Sequence, residues 1–279
     1  MQRTAQKVGK GFRFVLKQCR GFPEPLVFMH VPKTGGTSID AALGRIYAGA
    51  REGNIGFDRI THAWKCIKAH EDREDTRWSH VINTALCFRI ANRAPYLSGH
   101  FCVSSELIEM TRPPYRFVTL LREPSDRWVS NYIYSRIRQA QDGTRTPPED
   151  IEAELHQYLE SACARREGAK YIFALGGHQR EDALFDAETI DRAKQSLTKF
   201  DAVGFLEDLP AFQTRLSELV KRRVTIRHLR KTQNFQEPGG RSDKDYKILF
   251  TPEVRERVKT LCQPDYALYQ FARTLPAAC

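Results

Sequence analysis

Residues 26–43 read LVFMHVPKTGGTSIDAAL, and the order of residue types in this stretch decides the fold. Residues 26–31 are short, apolar and rich in β-formers, the pattern of a buried strand. From Ser38 the apolar residues change to helical spacing, with Ile39, Leu43, Ile46 and Tyr47 on one face and Thr37 or Ser38 as the expected N-cap. A strand, a glycine turn and a helix N-terminus in succession line up backbone N–H groups as an anion cradle. Gly35 and Gly36 let the backbone approach an anion closely. Lys33 adds a mobile positive charge, and Thr34, Thr37 and Ser38 add hydroxyl donors. The lysine precedes the glycine pair, whereas in the nucleotide loop GxxxxGK[ST] it follows the glycines. The plainer reading is a glycine-rich connection with no ligand; the packing of Lys, Thr, Gly, Gly, Thr and Ser into one run favours an anion.

Outward from this stretch, RFVTLL (116–121) is a second apolar strand, followed by a helix that Pro124 and Ser125 suit as a start. YLSGHF (96–101) reads as a short strand ending at a glycine turn, FDAVGF (200–205) as another, and VTIRHL (224–229) as a further candidate. Helical pattern covers 151–167, 181–199, the stretch LPAFQTRLSELVKR and the C-terminal TPEVRERVKTLCQPDYALYQFART. Residues 50–92 form a charged excursion with some helix, and 139–150 and 233–247 are polar loops. Strands alternating with helices predict an α/β protein: a P-loop-type three-layer fold with a central, mainly parallel sheet flanked by helices. Residues 1–22 form a basic leader and 23–279 a single domain. Ligands of such sheets bind beyond the carboxyl ends of the strands, so 30–38 and 121–130 belong at one site.

The chain has 279 residues, 41% hydrophobic and 28% charged, enough to bury a core without disulfides or metals. A net charge of +10 favours anionic partners such as nucleotides, nucleic acid, acidic glycans or membrane surfaces, and equally suits a basic surface that keeps the protein soluble. No apolar run approaches the length of a transmembrane helix, and the N-terminus lacks the apolar core of a signal peptide. The 7 cysteines are odd in number and form no CxxC pair, which speaks against a disulfide framework or zinc site and for a reducing compartment.

At the second strand end, Arg122 is followed within the next helix by Ser130. An arginine fork with a hydroxyl suits a phosphate monoester. Taken alone, Arg122 is more readily a surface arginine that caps a helix or pairs with Glu123 or Asp126.

Taken together, HVPKTGGTS and LREPSDRWVSNY resemble the sulfotransferases that use 3′-phosphoadenosine 5′-phosphosulfate (PAPS), closest to the carbohydrate branch that includes the heparan sulfate 2-O-sulfotransferases and bacterial relatives. YLSGHF and FDAVGFLEDL extend the similarity to roughly residues 26–210. The resemblance implies that Lys33 neutralises charge on the leaving phosphate, that Thr34, Gly35, Gly36, Thr37 and Ser38 cradle the 5′-phosphate, and that Arg122 and Ser130 hold the 3′-phosphate. It implies PAPS as the sulfuryl donor and requires no metal. The late segment 233–247 loosely resembles the part of the family near the adenine. Golgi members of the family carry an N-terminal anchor; this sequence departs from them, which points to a bacterial-type cytoplasmic enzyme.

Transfer to a hydroxyl needs a base, and histidine suits neutral pH. Of the 8 histidines, His100 lies at a predicted strand end and matches the family's catalytic position; a histidine that merely packs beside the loop is the alternative. His30 is expected to be buried at the strand end, His62, His70 and His80 to be surface residues, and Glu106 and Glu123 are reserve bases. A metal held by His100 and Cys102 lacks further ligands at suitable spacing. Arg136, Arg138, Arg165, Arg166 and Lys170 line a cleft for an acidic glycan or form solvated helix faces. The acceptor is expected to be a carbohydrate hydroxyl, with a lipid or small molecule as alternatives. A P-loop kinase would need GK[ST] and an acidic residue ending a strand; neither Asp58 nor Asp201 follows an apolar run. A non-catalytic anion- or nucleic-acid-binding protein would interleave aromatic and basic residues on one surface, whereas the basic residues here are scattered, so no nucleic-acid partner is expected.

Overall fold

A computed structural model describes residues 23–47, 57–71, 78–112, 114–177, 181–227 and 236–276. Its centre is a sheet of four parallel strands: β1 (Leu26–Met29), β2 (Tyr96–Gly99), β3 (Arg116–Leu121) and β4 (Ala202–Phe205), in the order β2-β1-β3-β4. The α-helices in chain order are α1 (Gly36–Ile46), α2 (Phe57–Glu71), α3 (Trp78–Ala91), α4 (Ser105–Thr111), α5 (Pro124–Gln141), α6 (Ile151–Leu159), α7 (Ala162–Gly168), α8 (Lys170–Leu175), α9 (Ala187–Thr198), α10 (Leu209–Leu219), α11 (Asp243–Lys247), α12 (Pro252–Leu261) and α13 (Gln263–Thr274). The expected α/β layering is present.

Parallel strands covered on both faces must be apolar at every position, which is why LVFM and RFVTLL read as unbroken runs. Their side chains still alternate. Leu26, Phe28, Val118 and Leu120 pack against Ile39 and Leu43 of α1 and Phe212 and Leu216 of α10. Val27, Met29, Phe117 and Leu121 share the opposite core with α3, α8, α9 and α13. A third core, built by α5, α6, α7 and α12, surrounds Trp128, Tyr132 and Ile137.

Strand order places the site. The chain leaves β1 for β2 on one side and leaves β3 for β4 on the other. The carboxyl ends of β1 and β3 therefore flank the point where the connections diverge, the usual ligand crevice of such sheets. At the opposite, amino end, Asp201 accepts from Arg116 at 3.0 Å and from the Phe117 N–H at 2.8 Å, and also binds Arg112. It ties strands together, far from any strand's carboxyl end.

Several boundaries differ from the sequence expectation. The N-cap of α1 is Gly35, not Thr37 or Ser38, because Gly35 adopts a left-handed conformation (φ 86°, ψ 7°) that turns the chain into the helix early. Residues 224–227 form no strand: the Val224 and Ile226 N–H groups donate to Ser217 at 3.0 Å and Gln213 at 2.8 Å on α10. The rest of that candidate, 228–229, lies outside the described residues, as does the leader 1–22. The 151–167 helix breaks where Ser161 accepts the Ala164 N–H at 3.2 Å and caps α7. The C-terminal helical stretch divides at Cys262, with Pro264 in the first turn of α13. The described part of 233–247 is not all loop, since α11 closes it behind a Ser242–Asp245 capping box. Among the described residues no helix is long and apolar enough to cross a membrane.

Candidate functional site

The turn after β1 is shaped by residues on either side of the one that anchors it. Thr34 is fully buried, and its hydroxyl donates to the Val31 carbonyl at 2.9 Å. That bond pulls the turn's centre inward and commits the Thr34 hydroxyl to the fold, leaving only its main chain for a ligand. Lys33 (φ 68°) and Gly35 (φ 86°) flank it in left-handed conformations. Gly36 is pressed on the His30 ring: a Cβ there would lie 2.0 Å from His30 Cδ2. The glycine pair therefore serves two needs, a left-handed turn at Gly35 and a close approach at Gly36.

The N-terminus of α1 that follows is uncapped. Its N-cap, Gly35, offers no side-chain acceptor, and its first turn holds no acidic residue. The Ser38 N–H bonds the Gly35 carbonyl at 3.2 Å, and the remaining first-turn amides are the orphan donors of any helix start. Donors and the helix dipole together favour an anion at this position. Thr37 is exposed and Ser38 half-buried beside it.

The two strand ends meet. Nη1 of Arg122, the first residue past β3, donates to the Lys33 carbonyl at 3.4 Å. Nζ of Lys33 lies 3.8 Å from the ring centroid of Tyr134 on α5. Arg122 does not pair with the carboxylates that follow it. Glu123 caps α5, accepting the Asp126 N–H at 2.6 Å and the Ser125 hydroxyl at 3.0 Å, and also binds the Tyr266 hydroxyl. Asp126 faces Arg255 at 3.6 Å. Among the described residues the Arg122 guanidinium has no carboxylate partner. Ser130 is half-buried in the second turn of α5, and its hydroxyl has no partner among the described residues.

On the other side of the turn, past β2, stands His100. Its Nδ1 lies 2.5 Å from the His30 carbonyl oxygen, and the two imidazole rings are 4.8 Å apart. A carbonyl can only accept, so Nδ1 carries the hydrogen and Nε2 keeps its lone pair in the neutral ring. Burial lowers the His100 pKa, the bond to the His30 carbonyl pulls it back up, and the charge of Lys170 lowers it further; the net direction is down. Burial, then His100 and Lys33, depress His30 to about 3. Both rings are neutral at physiological pH, and the contact with the His30 carbonyl fixes the tautomer of His100.

The other candidates fall away from this point. Glu106 is exposed at the start of α4, where hydrogen bonds led by Ser104 hold its carboxyl below the usual range. His62 lies 3.6 Å from the Cys66 sulfur on exposed α2, His80 is exposed, and His156 accepts from Arg257 at 2.9 Å. The His70 side chain, His178 and His228 lie outside the described residues. Burial pushes the Cys102 thiol up to about 12, and no group of three metal-ligating side chains occurs among the described residues.

Two of the arginines left open between a cleft and a solvated helix face are paired within the fold. Arg136 is paired with Glu154 at 2.8 Å between the rings of Tyr132 and Tyr158, because the third core leaves it an aromatic slot. Arg138 pairs along its helix with Asp142 at 2.9 Å. Of the basic residues named from sequence, Lys170 is the one whose charge reaches His100. Tyr134 was missed as a neighbour of Lys33, although it stands one helical turn beyond Ser130 and shares its face.

No protein-family model matches the chain, and a search of curated proteins finds no match.

Proposed function

We propose that the protein transfers the sulfuryl group of PAPS to an acceptor hydroxyl, with His100 as general base, and that the acceptor is a carbohydrate. The observation that carries this reading is the contact between Arg122 and the Lys33 carbonyl, 3.4 Å, which joins a guanidinium that has no carboxylate partner among the described residues to a helix N-terminus whose N-cap is a glycine. Two separated anion sites at one crevice suit a ligand with phosphates at both ends of a nucleoside, and the second site is what would distinguish PAPS from ATP. The motif resemblance supports the same ligand.

When bound, the donor supplies the activated sulfuryl group and a phosphate leaving group. The chain's own residues supply the rest. The amides of the α1 N-terminus and the hydroxyls of Thr37 and Ser38 bind the 5′-phosphate. Lys33 neutralises the charge that develops on it, and Arg122, with Ser130, holds the 3′-phosphate. His100 takes the acceptor proton at Nε2, the nitrogen that carries the ring's lone pair while Nδ1 donates to the His30 carbonyl. Positioning and fixed dipoles account for most of the acceleration in this scheme. Five cysteines among the described residues are free thiols, which supports a cytoplasmic setting.

The test is transfer of labelled sulfate from PAPS into polysaccharide, lipid and small-molecule fractions of source cells, with His100→Ala as control. Label in the polysaccharide fraction that disappears with the variant is the expected result. Label in another fraction moves the acceptor class. Folded protein that binds the nucleotide and labels nothing would leave a nucleotide-binding protein without turnover.

A further inference from the structure

Arg122 stands where β3 has ended and the sheet no longer partners its main chain. A single side chain supplies both missing partners. The hydroxyl of Tyr171 accepts the Arg122 N–H at 2.9 Å and donates to the Arg122 carbonyl at 2.6 Å. A buried tyrosine needs one partner for its hydroxyl. Binding both peptide groups of the same residue does more, because it restrains the main chain on both sides of that residue's Cα and so the direction in which its side chain leaves.

Tyr171 is itself held from two directions. It is fully buried in α8, and the Tyr171 and Ile172 N–H groups donate to Oδ1 of Asp265 on α13 at 2.8 and 3.2 Å. Its ring centroid lies 5.6 Å from the guanidinium carbon of Arg127, which is buried and paired with Glu167 at 2.6 Å. The phenol is thus oriented by Asp265 and Arg127, two side chains that are not among the proposed anion ligands. The neighbouring Lys170 acts on His100, so the first turn of α8 reaches both sides of the crevice.

We infer that Tyr171 is the positioning residue for Arg122: by gripping its main chain, it aims the guanidinium at the loop after β1 and thereby sets affinity for the 3′-phosphate. The ligand in this statement rests on the sulfotransferase reading; the positioning does not. Tyr171→Phe keeps the ring against Arg127 and removes only the hydroxyl. Two readouts separate the claims: modification of Arg122 by phenylglyoxal, followed by peptide mass, and binding of adenosine 3′,5′-bisphosphate and ADP, followed by calorimetry. Tyr171→Phe is expected to label faster at Arg122 and to bind the bisphosphate about tenfold more weakly, with ADP unchanged. Adding Tyr171→Phe to Arg122→Ala is expected to cost nothing further, since both act through one group. Asp265→Asn retains a carbonyl acceptor for the Tyr171 and Ile172 amides and is expected to label as the parent does. Unchanged labelling in folded Tyr171→Phe, full additivity of the two substitutions, or labelling in Asp265→Asn as fast as in Tyr171→Phe would each overturn the positioning role. Faster labelling in Tyr171→Phe, in a protein whose parent binds both nucleotides equally, would uphold the positioning role and remove the donor reading instead.

Discussion

The Nδ1–H of His100 is bonded to the main-chain carbonyl of His30 at 2.5 Å, and this contact decides which nitrogen can take a proton. With Nδ1 donating, Nε2 holds the lone pair. Burial and Lys170 lower the His100 pKa against the pull of the carbonyl, so the neutral form extends below the ordinary histidine range. A base must be unprotonated to act. The turnover rate is therefore expected to stay level from neutral pH down past about 6.5 and to fall only below that. A kcat profile against pH checks it, and an acid limb near or above 7 would assign the proton transfer elsewhere. His100→Gln is expected to lose turnover while binding adenosine 3′,5′-bisphosphate as the parent does.

Arg122→Ala tests the second anion site. With no carboxylate partner to strand, removing the guanidinium is expected to leave the melting temperature close to that of the parent. The preference for adenosine 3′,5′-bisphosphate over ADP should fall by about 1.5–3 kcal/mol, the worth of hydrogen bonds to a charged group. Competition binding of the two nucleotides measures it. Equal preference in variant and parent would move the 3′-phosphate away from Arg122.

The glycines of α1 give a contrast within one helix. A Cβ on Gly36 would meet the His30 ring at 2.0 Å, whereas one on Gly44 would meet nothing within 4 Å. Gly36→Ala is expected to destabilise by about 1–3 kcal/mol through overpacking and, by moving His30, to disturb the bond that orients His100. Gly44→Ala is expected to stabilise by about 0.5–1 kcal/mol with activity unchanged. Urea midpoints of the two variants measure the contrast; stabilisation of similar size in both would mean that His30 yields freely.

The sequence was most legible where one physical demand sets the residue type. A parallel strand buried on both faces has to be apolar throughout, so LVFM and RFVTLL announced β1 and β3, and the strand ends then announced where the site would lie. The glycine pair was legible as a close approach, but not what it approaches: the His30 ring meets Gly36 only once β1 and α1 are packed. VTIRHL carried a strand's composition, yet two polar side chains of α10 took its amide donors, a tertiary competition that no local pattern records. Arg136 could be read as a cleft residue or as part of a solvated helix face and is neither, because its partner Glu154 and the rings that enclose it belong to a third core that only tertiary packing assembles. Tyr171 and Asp265 were invisible for the same reason, since neither has a motif and their contacts join residues 49 and 94 apart in sequence.

Lys33 offers a test of strain kept for function. It occupies a left-handed conformation, φ 68°, that costs an ordinary side chain about 1–2 kcal/mol and glycine almost nothing. Lys33→Ala and Lys33→Gly are both expected to abolish transfer, because both remove the ammonium. They should differ in stability, with Lys33→Gly the more stable of the two by roughly 1 kcal/mol. Melting curves of the pair decide it. Residual transfer in either variant would show that the loop amides stabilise the leaving phosphate without the lysine.

Asp265 connects stability to pH in a direction opposite to that of most carboxylates. Burial raises its pKa to about 7, while Arg127 and the Tyr171 and Ile172 amides pull the other way without winning. In the unfolded chain it ionises at the ordinary aspartate value, near 3.8. Below that value both states are protonated, and Asp265 contributes no pH dependence. As pH rises from there the unfolded state ionises freely and the folded state does not, so stability falls until pH passes about 7 and the penalty becomes constant. Glu167 behaves in the usual way: burial pushes its pKa up, Arg127 and Lys170 push it further down, and its contribution is lost as the solution is acidified. Asp265→Asn removes the first term and leaves the second. The replacement also gives up attraction to Arg127, an offset that shifts the whole comparison without changing its slope. Melting temperatures of the variant and the parent are therefore expected to diverge in the variant's favour between about pH 4 and 7 and to run parallel above that. A difference independent of pH across this window would mean that Asp265 is ionised in the folded protein throughout, with the Arg127 charge outweighing burial.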